Sequence, residues 1–360
     1  MRLGFFTMPM HPPGSDPAET LRDDLEQIVV ADQLGYEEAW IGEHLTAEWE
    51  NIPAPDLLIA QALPLTENIV LGTGVNCLTN HDPFMLAHRV AQLDNMARGR
   101  FYWGIGSGVF SGDLEAYGFD PKQKENRQAS REILDVIIEL WSDPKPGLYE
   151  SKYFKFWVPE PDPRVGLGMH MKPFQKPHPP IGVAGLTPYS GTLVVAGERG
   201  WIPMSSDIIP WRIIATHWDA VESGVREGSP APNRSEWRIA RDIFVADTTE
   251  EARKLAVEGT LGRDYNDYFL AMGRRARGME IFKQDPETPD SEVDLDYMLE
   301  HIWVVGSPDD VVEKLTGLYE AVGGFGVLLA VGHEWKPHDK WLHSMTLLAK
   351  EVMPRLAHLN

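Results

Sequence analysis

Short apolar runs alternate along the chain with longer stretches in which apolar residues recur every three to four positions. The first run, Leu3–Met8 (LGFFTM), predicts a buried strand. Asp16, Pro17 and Glu19 then supply an N-cap, a proline at the first helical position and a capping-box acid. Leu21, Leu25 and Ile28 follow on one helical face, and Gly35 after Leu34 predicts the stop. Further strands are predicted at Glu38–Gly42, Ile69–Thr73, Arg100–Ile105, Ile181–Ala184, Trp201–Met204, Ile239–Val245 and Gly326–Ala330. Helices are predicted from Pro55, over Pro83–Met96, over Arg127–Trp141, near Gly191–Ala196, from Pro210, from Thr248–Glu250, over Ser307–Tyr319 and over Lys340–Val352.

Two segments break this rhythm. Residues 142–180 hold many prolines, Lys155, Lys172 and Lys176, and little periodicity. Residues 259–297 hold Arg274, Arg275 and Arg277 and the polar stretch QDPETPDSE, a composition that predicts little apolar surface to bury. Both read as insertions into a repeating unit. The remaining strand-helix units number eight. Alternation of strands with helices implies a parallel sheet, and eight units close into a barrel. The predicted fold is therefore α/β, a single (β/α)8 TIM-barrel domain over residues 1–360 with two insertions. A doubly wound open sheet is the rival, and it calls for a dinucleotide fingerprint after an early strand.

Composition narrows the function. The chain has 360 residues, with 33 Lys+Arg against 54 Asp+Glu and a formal charge of −21. Nucleic acids and anionic membranes demand a basic footprint, so neither is an expected partner. Long apolar spans are missing, and the N-terminal apolar stretch is too short for a signal peptide, so a cytoplasmic protein is expected. Cys77 is the single cysteine, which excludes an intrachain disulfide.

Several motifs fail on spacing. Gly104-Ile105-Gly106-Ser107-Gly108 follows a strand, but Val109 and Ser111 stand where a dinucleotide fingerprint needs glycine. Ser107 is not in a nucleophile elbow, since Ile105 and Val109 flank it. His333-Glu334 and His338 have HExxxH spacing with Pro337 interrupting, so no metal is expected there. Residues with chemical promise instead cluster where strands should end, which is where a barrel carries its site. Glu43-His44 follow the second strand, Gly74-Val75-Asn76 the third, and Gly106-Ser107-Gly108 the fourth. Gly185-Leu186-Thr187 follow the fifth, and Tyr189-Ser190-Gly191 open the next helix. Together they offer an imidazole, small residues permitting close approach, and amide donors suited to phosphate.

EAWIGEH (38–44), NIVLGTG (68–74), QLDNMARGRFYWGIGSG (92–108), VVAGERGW (194–201) and VGSPDDVVEKL (305–315) resemble the bacterial-luciferase-like flavin-dependent monooxygenases. WENIPAPDLLIA (49–60) is similar to the branch holding limonene and diketocamphane monooxygenases. The resemblance implies a barrel that binds reduced FMN, delivered by a separate flavin reductase, and usually a homodimer. It implies a C4a-peroxyflavin formed with O2 that oxygenates a small apolar substrate of the terpene or cyclic ketone class. It places His44 near the reactive face of the flavin as the catalytic acid or base. Glu43, Gly74, Val75, Asn76, Gly106, Ser107, Gly108, Gly185, Leu186 and Ser190 match flavin-lining segments. A non-proline cis peptide is implied at Gly74–Val75, and segment 259–297 matches the position of a mobile lid.

Departures from the pattern matter too. Bacterial luciferase carries cysteine and arginine at the positions of Gly106 and Ser107, so light emission is not expected. Phosphate binding would lean on backbone donors, Ser190 or Arg127. Relatives often have His-Pro after the third strand, whereas here His81 precedes Asp82-Pro83. Glu43, beside His44, is the acid expected to orient its imidazole. Phe5, Phe6, Trp40, Trp49, Phe110, Trp157 and Trp335 supply aromatic surface for an apolar substrate, with core packing the competing role for Phe5 and Trp40. Two other functions fit the same barrel: an F420-dependent oxidoreductase and a non-catalytic flavin-binding protein.

Overall fold

The computed structural model describes residues 1–8 and 10–359. Eight parallel strands close on themselves. They are β1 (Arg2–Thr7), β2 (Glu38–Ile41), β3 (Val70–Thr73), β4 (Phe101–Gly106), β5 (Ile181–Gly185), β6 (Ile202–Ser205), β7 (Arg238–Arg241) and β8 (Val327–Gly332). Each pairs with the next in sequence, and β8 returns to β1 in register from Arg2 against Val327 to Thr7 against Gly332. Helices lie between successive strands, which is the (β/α)8 barrel the eight units predict.

Local signals place most boundaries. Asp16 accepts from the Ala18 N–H to start helix Pro17–Leu34, while Glu19 turns outward to Arg22 rather than completing a capping box. Gly35, at φ 87°, ends that helix in the left-handed conformation only glycine adopts at little cost. Trp40 fills the barrel interior, where Gly72, Gly104 and Gly182 leave room for its ring. Its indole N–H donates to Glu38 at 2.8 Å, and the Glu38 carboxylate takes a two-pronged pair from buried Arg238 at 2.9 and 3.0 Å. Phe5 packs edge-on against Tyr36 between barrel and helices. Core packing is thus the structural role of both Phe5 and Trp40.

The structure corrects four expectations. The run Ile239–Val245 is not one strand. It breaks at buried Asp242, and Ile243–Val245 leaves the barrel to pair with Val304–Gly306, a strand the hydrophobic pattern did not single out. Segment 142–180 contains an antiparallel hairpin, Gly147–Glu150 with Lys155–Val158, whose alternating exposure is a short-range signal hidden among the prolines. Trp157 lies exposed on that hairpin. Segment 259–297 buries more apolar surface than its composition suggests: Leu261, Tyr265, Phe269, Leu270, Met279, Phe282 and Val293 are all interior. It is mostly helical and includes a π-helical turn at Tyr265–Phe269.

Candidate active site

The C-terminal ends of β2, β3, β4 and β5 bring the predicted strand-end residues together. A two-residue strand, Asn76–Cys77, pairs with Ile105–Gly106 and sets Asn76 beside the β4 glycines. The Gly74–Val75 peptide just before it is cis, as the resemblance implies. Val75 packs against the buried interior cluster that holds Trp40. A methyl group on Gly106 would lie 2.6 Å from the Val75 side chain, so the glycine keeps this wall thin. Asn126 donates to the carbonyls of Ser107 and Gly108 at 2.9 and 3.1 Å, fixing the turn after β4.

Glu43 does not orient His44, contrary to the sequence expectation. Successive residues of an extended segment point to opposite sides, so neighbours in sequence are poor partners here. The buried Glu43 carboxylate accepts from Asn76 at 2.8 Å, from Asn80 at 3.0 Å, and lies 2.9 Å from His81 Nε2. Asn76 in turn accepts the Trp103 indole N–H at 3.1 Å. Glu43 is therefore the anchor of the β3–β4 wall.

His44 sits instead between two other carboxylates. Its Nε2 lies 2.9 Å from Glu50 Oε2, and its Nδ1 lies 3.7 Å from Asp113 Oδ2. The Nε2 contact is a close ion pair with Glu50, whereas Nδ1 makes no hydrogen bond among the described residues. The ring leans on Phe110, with centroids 4.3 Å apart, and the side chain keeps 12% of its surface exposed. Burial alone would lower its pKa, but the negative charges of Glu50 and Asp113 outweigh burial and push it up to about 10. His44 is an imidazolium at neutral pH. Asp113 is locked by Thr46 and by the Leu45 N–H, and Glu50 accepts the Tyr268 hydroxyl at 2.6 Å. Burial would raise the pKa of Asp113, yet His44 and these donors carry it below the usual carboxylate range.

The remaining predicted residues divide. Gly185 and Ser190 are buried at the end of β5 and the start of helix Gly191–Arg199, and Leu186 is half-buried between them. Ser190 makes no side-chain cap; its hydroxyl pairs with Thr192, which donates on to the Ala184 carbonyl at 2.7 Å. Arg127 is exposed, and its neighbour Asn126 is the residue that reaches the β4 turn. Glu50, Asp113, Asn126 and Tyr268 were missed by the sequence reading. Only Asn126, directly before the predicted helix, carried a local signal.

The luciferase-like monooxygenase family model matches residues 1–324, and the chain belongs to that family. It is 34% identical to 4-hydroxyprotoasukamycin monooxygenase of Streptomyces nodosus subsp. asukaensis, over 98% of this chain and 91% of that one. It is 30% identical to 3,6-diketocamphane 1,6-monooxygenase of Pseudomonas putida, over 99% and 98% of the two chains. Among solved structures it resembles the oxygenating constituent of 3,6-diketocamphane monooxygenase from the Pseudomonas putida CAM plasmid, a type II Baeyer–Villiger enzyme in complex with FMN. That likeness has a TM-score of 0.90 and 31% identity over 99% of this chain and 98% of that one.

Proposed function

We propose that this chain is the oxygenating component of a two-component monooxygenase. It takes reduced FMN from a separate reductase and uses O2 to oxygenate a small apolar ketone or terpene. The full-length likeness to an FMN-complexed Baeyer–Villiger oxygenase carries this reading. For a ketone the balance is ketone, O2 and reduced FMN going to ester or lactone, water and oxidised FMN. Reduced FMN supplies the electrons that activate O2.

The residues present fit such a cofactor. Gly74, Gly106 and Gly108 carry no side chain and Val75, Asn76 and Ser107 only short ones, a composition that suits close approach of a flat ring system to the backbone. The first-turn amides beyond Ser190 lack a side-chain cap and suit a phosphate, with Gly185 and Leu186 between the two regions. His44 holds a proton on a cation whose Nδ1 has no hydrogen-bond partner among the described residues, which suits donation to an oxygen that gains negative charge. Phe110, Trp49 and Tyr268 provide apolar surface near that proton and help exclude water. Segment 259–297 acts in this reading as the lid. Exposed Leu57, Leu65, Met85 and Met96, on or beside helices Pro55–Ala62 and Pro83–Ala97, support a homodimer.

The test is product analysis with reductase-supplied FMN, 18O2, and a panel of cyclic ketones and monoterpenes. One labelled oxygen per product molecule is the expected result. Hydride transfer with F420 and no oxygenated product would overturn the reading in favour of the oxidoreductase alternative.

A further inference from the structure

Glu50 touches both the imidazole at the barrel mouth and the insertion docked above it. Its carboxyl is buried, and its two oxygens face different elements. Oε2 lies 2.9 Å from His44 Nε2, and Oε1 accepts the Tyr268 hydroxyl at 2.6 Å. Trp49, the residue before Glu50, stacks on Tyr268 with ring centroids 5.6 Å apart. Its backbone is pinned as well: Trp49 O accepts from the His11 N–H at 2.9 Å, and Ile52 O accepts from the His44 N–H at 3.0 Å. Glu50 therefore cannot swing toward one partner without leaving the other.

From this geometry we infer that Glu50 is a positioning residue that couples the charge of His44 to the docking of the 259–297 insertion, with Tyr268 as the contact on the insertion. The inference rests on the reading that His44 works at the oxygenation site. The groups facing His44 are Glu50 from its own loop, Asp113 from the helix Ser111–Ala116, and Tyr268 from the insertion behind Glu50. The Tyr268 hydroxyl donates to Glu50, and Glu50 on its other side favours the imidazolium of His44. When the insertion lifts, Glu50 loses that donor and water enters. The attraction between Glu50 and His44 then weakens as the local dielectric rises. Docking keeps His44 charged, and by linkage the charge on His44 favours docking.

The flavin-free protein supplies the test, through NMR titration of the His44 ring and hydrogen exchange across 259–297. Glu50→Gln is expected to lower the pH at which the His44 ring titrates. Tyr268→Phe is expected to speed exchange across the insertion about tenfold, the loss of one charge-assisted hydrogen bond. The double variant should exchange no faster than the faster single variant, because both remove the same contact. An unshifted His44 titration in Glu50→Gln, or unchanged exchange in Tyr268→Phe, overturns the coupling. If Glu50→Gln does not fold, Tyr268→Phe, which deletes one hydroxyl, decides alone. Shifted titration and exchange in an enzyme that makes no oxygenated product would leave the coupling standing and remove the monooxygenase reading. Normal product with neither shift would remove the coupling alone.

Discussion

Two histidines in this barrel are clamped between pairs of carboxylates, and they do different work. His44 lies between Glu50 and Asp113 at the mouth. His333, at the end of β8, lies between Asp242 and Asp264, with each ring nitrogen 2.9 Å from a carboxylate oxygen. Both have raised pKa values, to about 10 and about 9, since burial lowers each but the paired acids more than compensate. Charge alone does not separate them. Commitment of the N–H groups does: His333 spends both on hydrogen bonds, whereas Nδ1 of His44 makes none among the described residues. His217 completes the contrast. It has no carboxylate partner, and burial takes its pKa down to about 4, so it stays neutral between Ser205 and the Thr187 carbonyl.

His333 is the centre of a latch. Asp242, at the break after β7, also accepts the Tyr265 hydroxyl at 2.5 Å, and Asp264 accepts from Arg263 at 2.6 Å. Arg263 reaches on to Glu334 at 2.5 Å. The latch thus ties the start of the 259–297 insertion to the ends of β7 and β8, while Tyr268, one turn further along, ties it to the loop carrying Glu50. The HExxxH spacing that resembled a metal motif is used for this ion-pair network, with His338 lying instead against Trp335.

The sharpest way to break the comparison is to make the same substitution at both histidines. His44→Gln should lower coupled turnover by about 10²–10⁴, the range for loss of a general acid. His333→Gln should leave the chemistry of the folded protein largely intact. Both should cost about 3–5 kcal/mol, because in each case two buried carboxylates lose their cation. Urea denaturation and product assays on both variants check this. Equal losses of turnover per folded molecule would erase the distinction.

The pH dependence of stability gives the next largest effect. The folded pKa of His333 is raised above the ordinary value, so its stabilisation is fully present below about pH 6.5 and is lost as pH rises through about 9. The stability gap between the parent and His333→Gln should therefore shrink between those limits when unfolding is followed across pH. A gap that widens with pH would contradict the assignment.

Smallest is the effect at Glu43. Glu43→Ala leaves Asn76, Asn80 and His81 without their acceptor and should cost about 1–3 kcal/mol in thermal or urea unfolding. The His44 titration should not move, because Glu43 is not its partner. A shift of that titration would restore the orienting role that sequence adjacency suggests.

The eight-unit rhythm, the capping residues at Asp16 and Gly35, and the strand-end placement of His44 were legible in the linear order, because each depends on residues a few positions apart. His44 could be found since a histidine closing a predicted strand has few places to go. Its charge could not. Glu50 reaches Tyr268 across 218 positions, and Asp113 arrives from a short helix beyond β4. The strand break at Asp242 was equally hidden, since the charged pair Arg241-Asp242 inside IARDIFV does not say where the strand turns until His333 and Tyr265 fold over the aspartate. Insertion 259–297 looked polar in composition because its apolar residues are scattered, and only packing shows them sharing one buried side. Periodicity and capping are local energies and are written in the sequence. Electrostatic environment depends on distances across the closed barrel, and tertiary structure alone decides it.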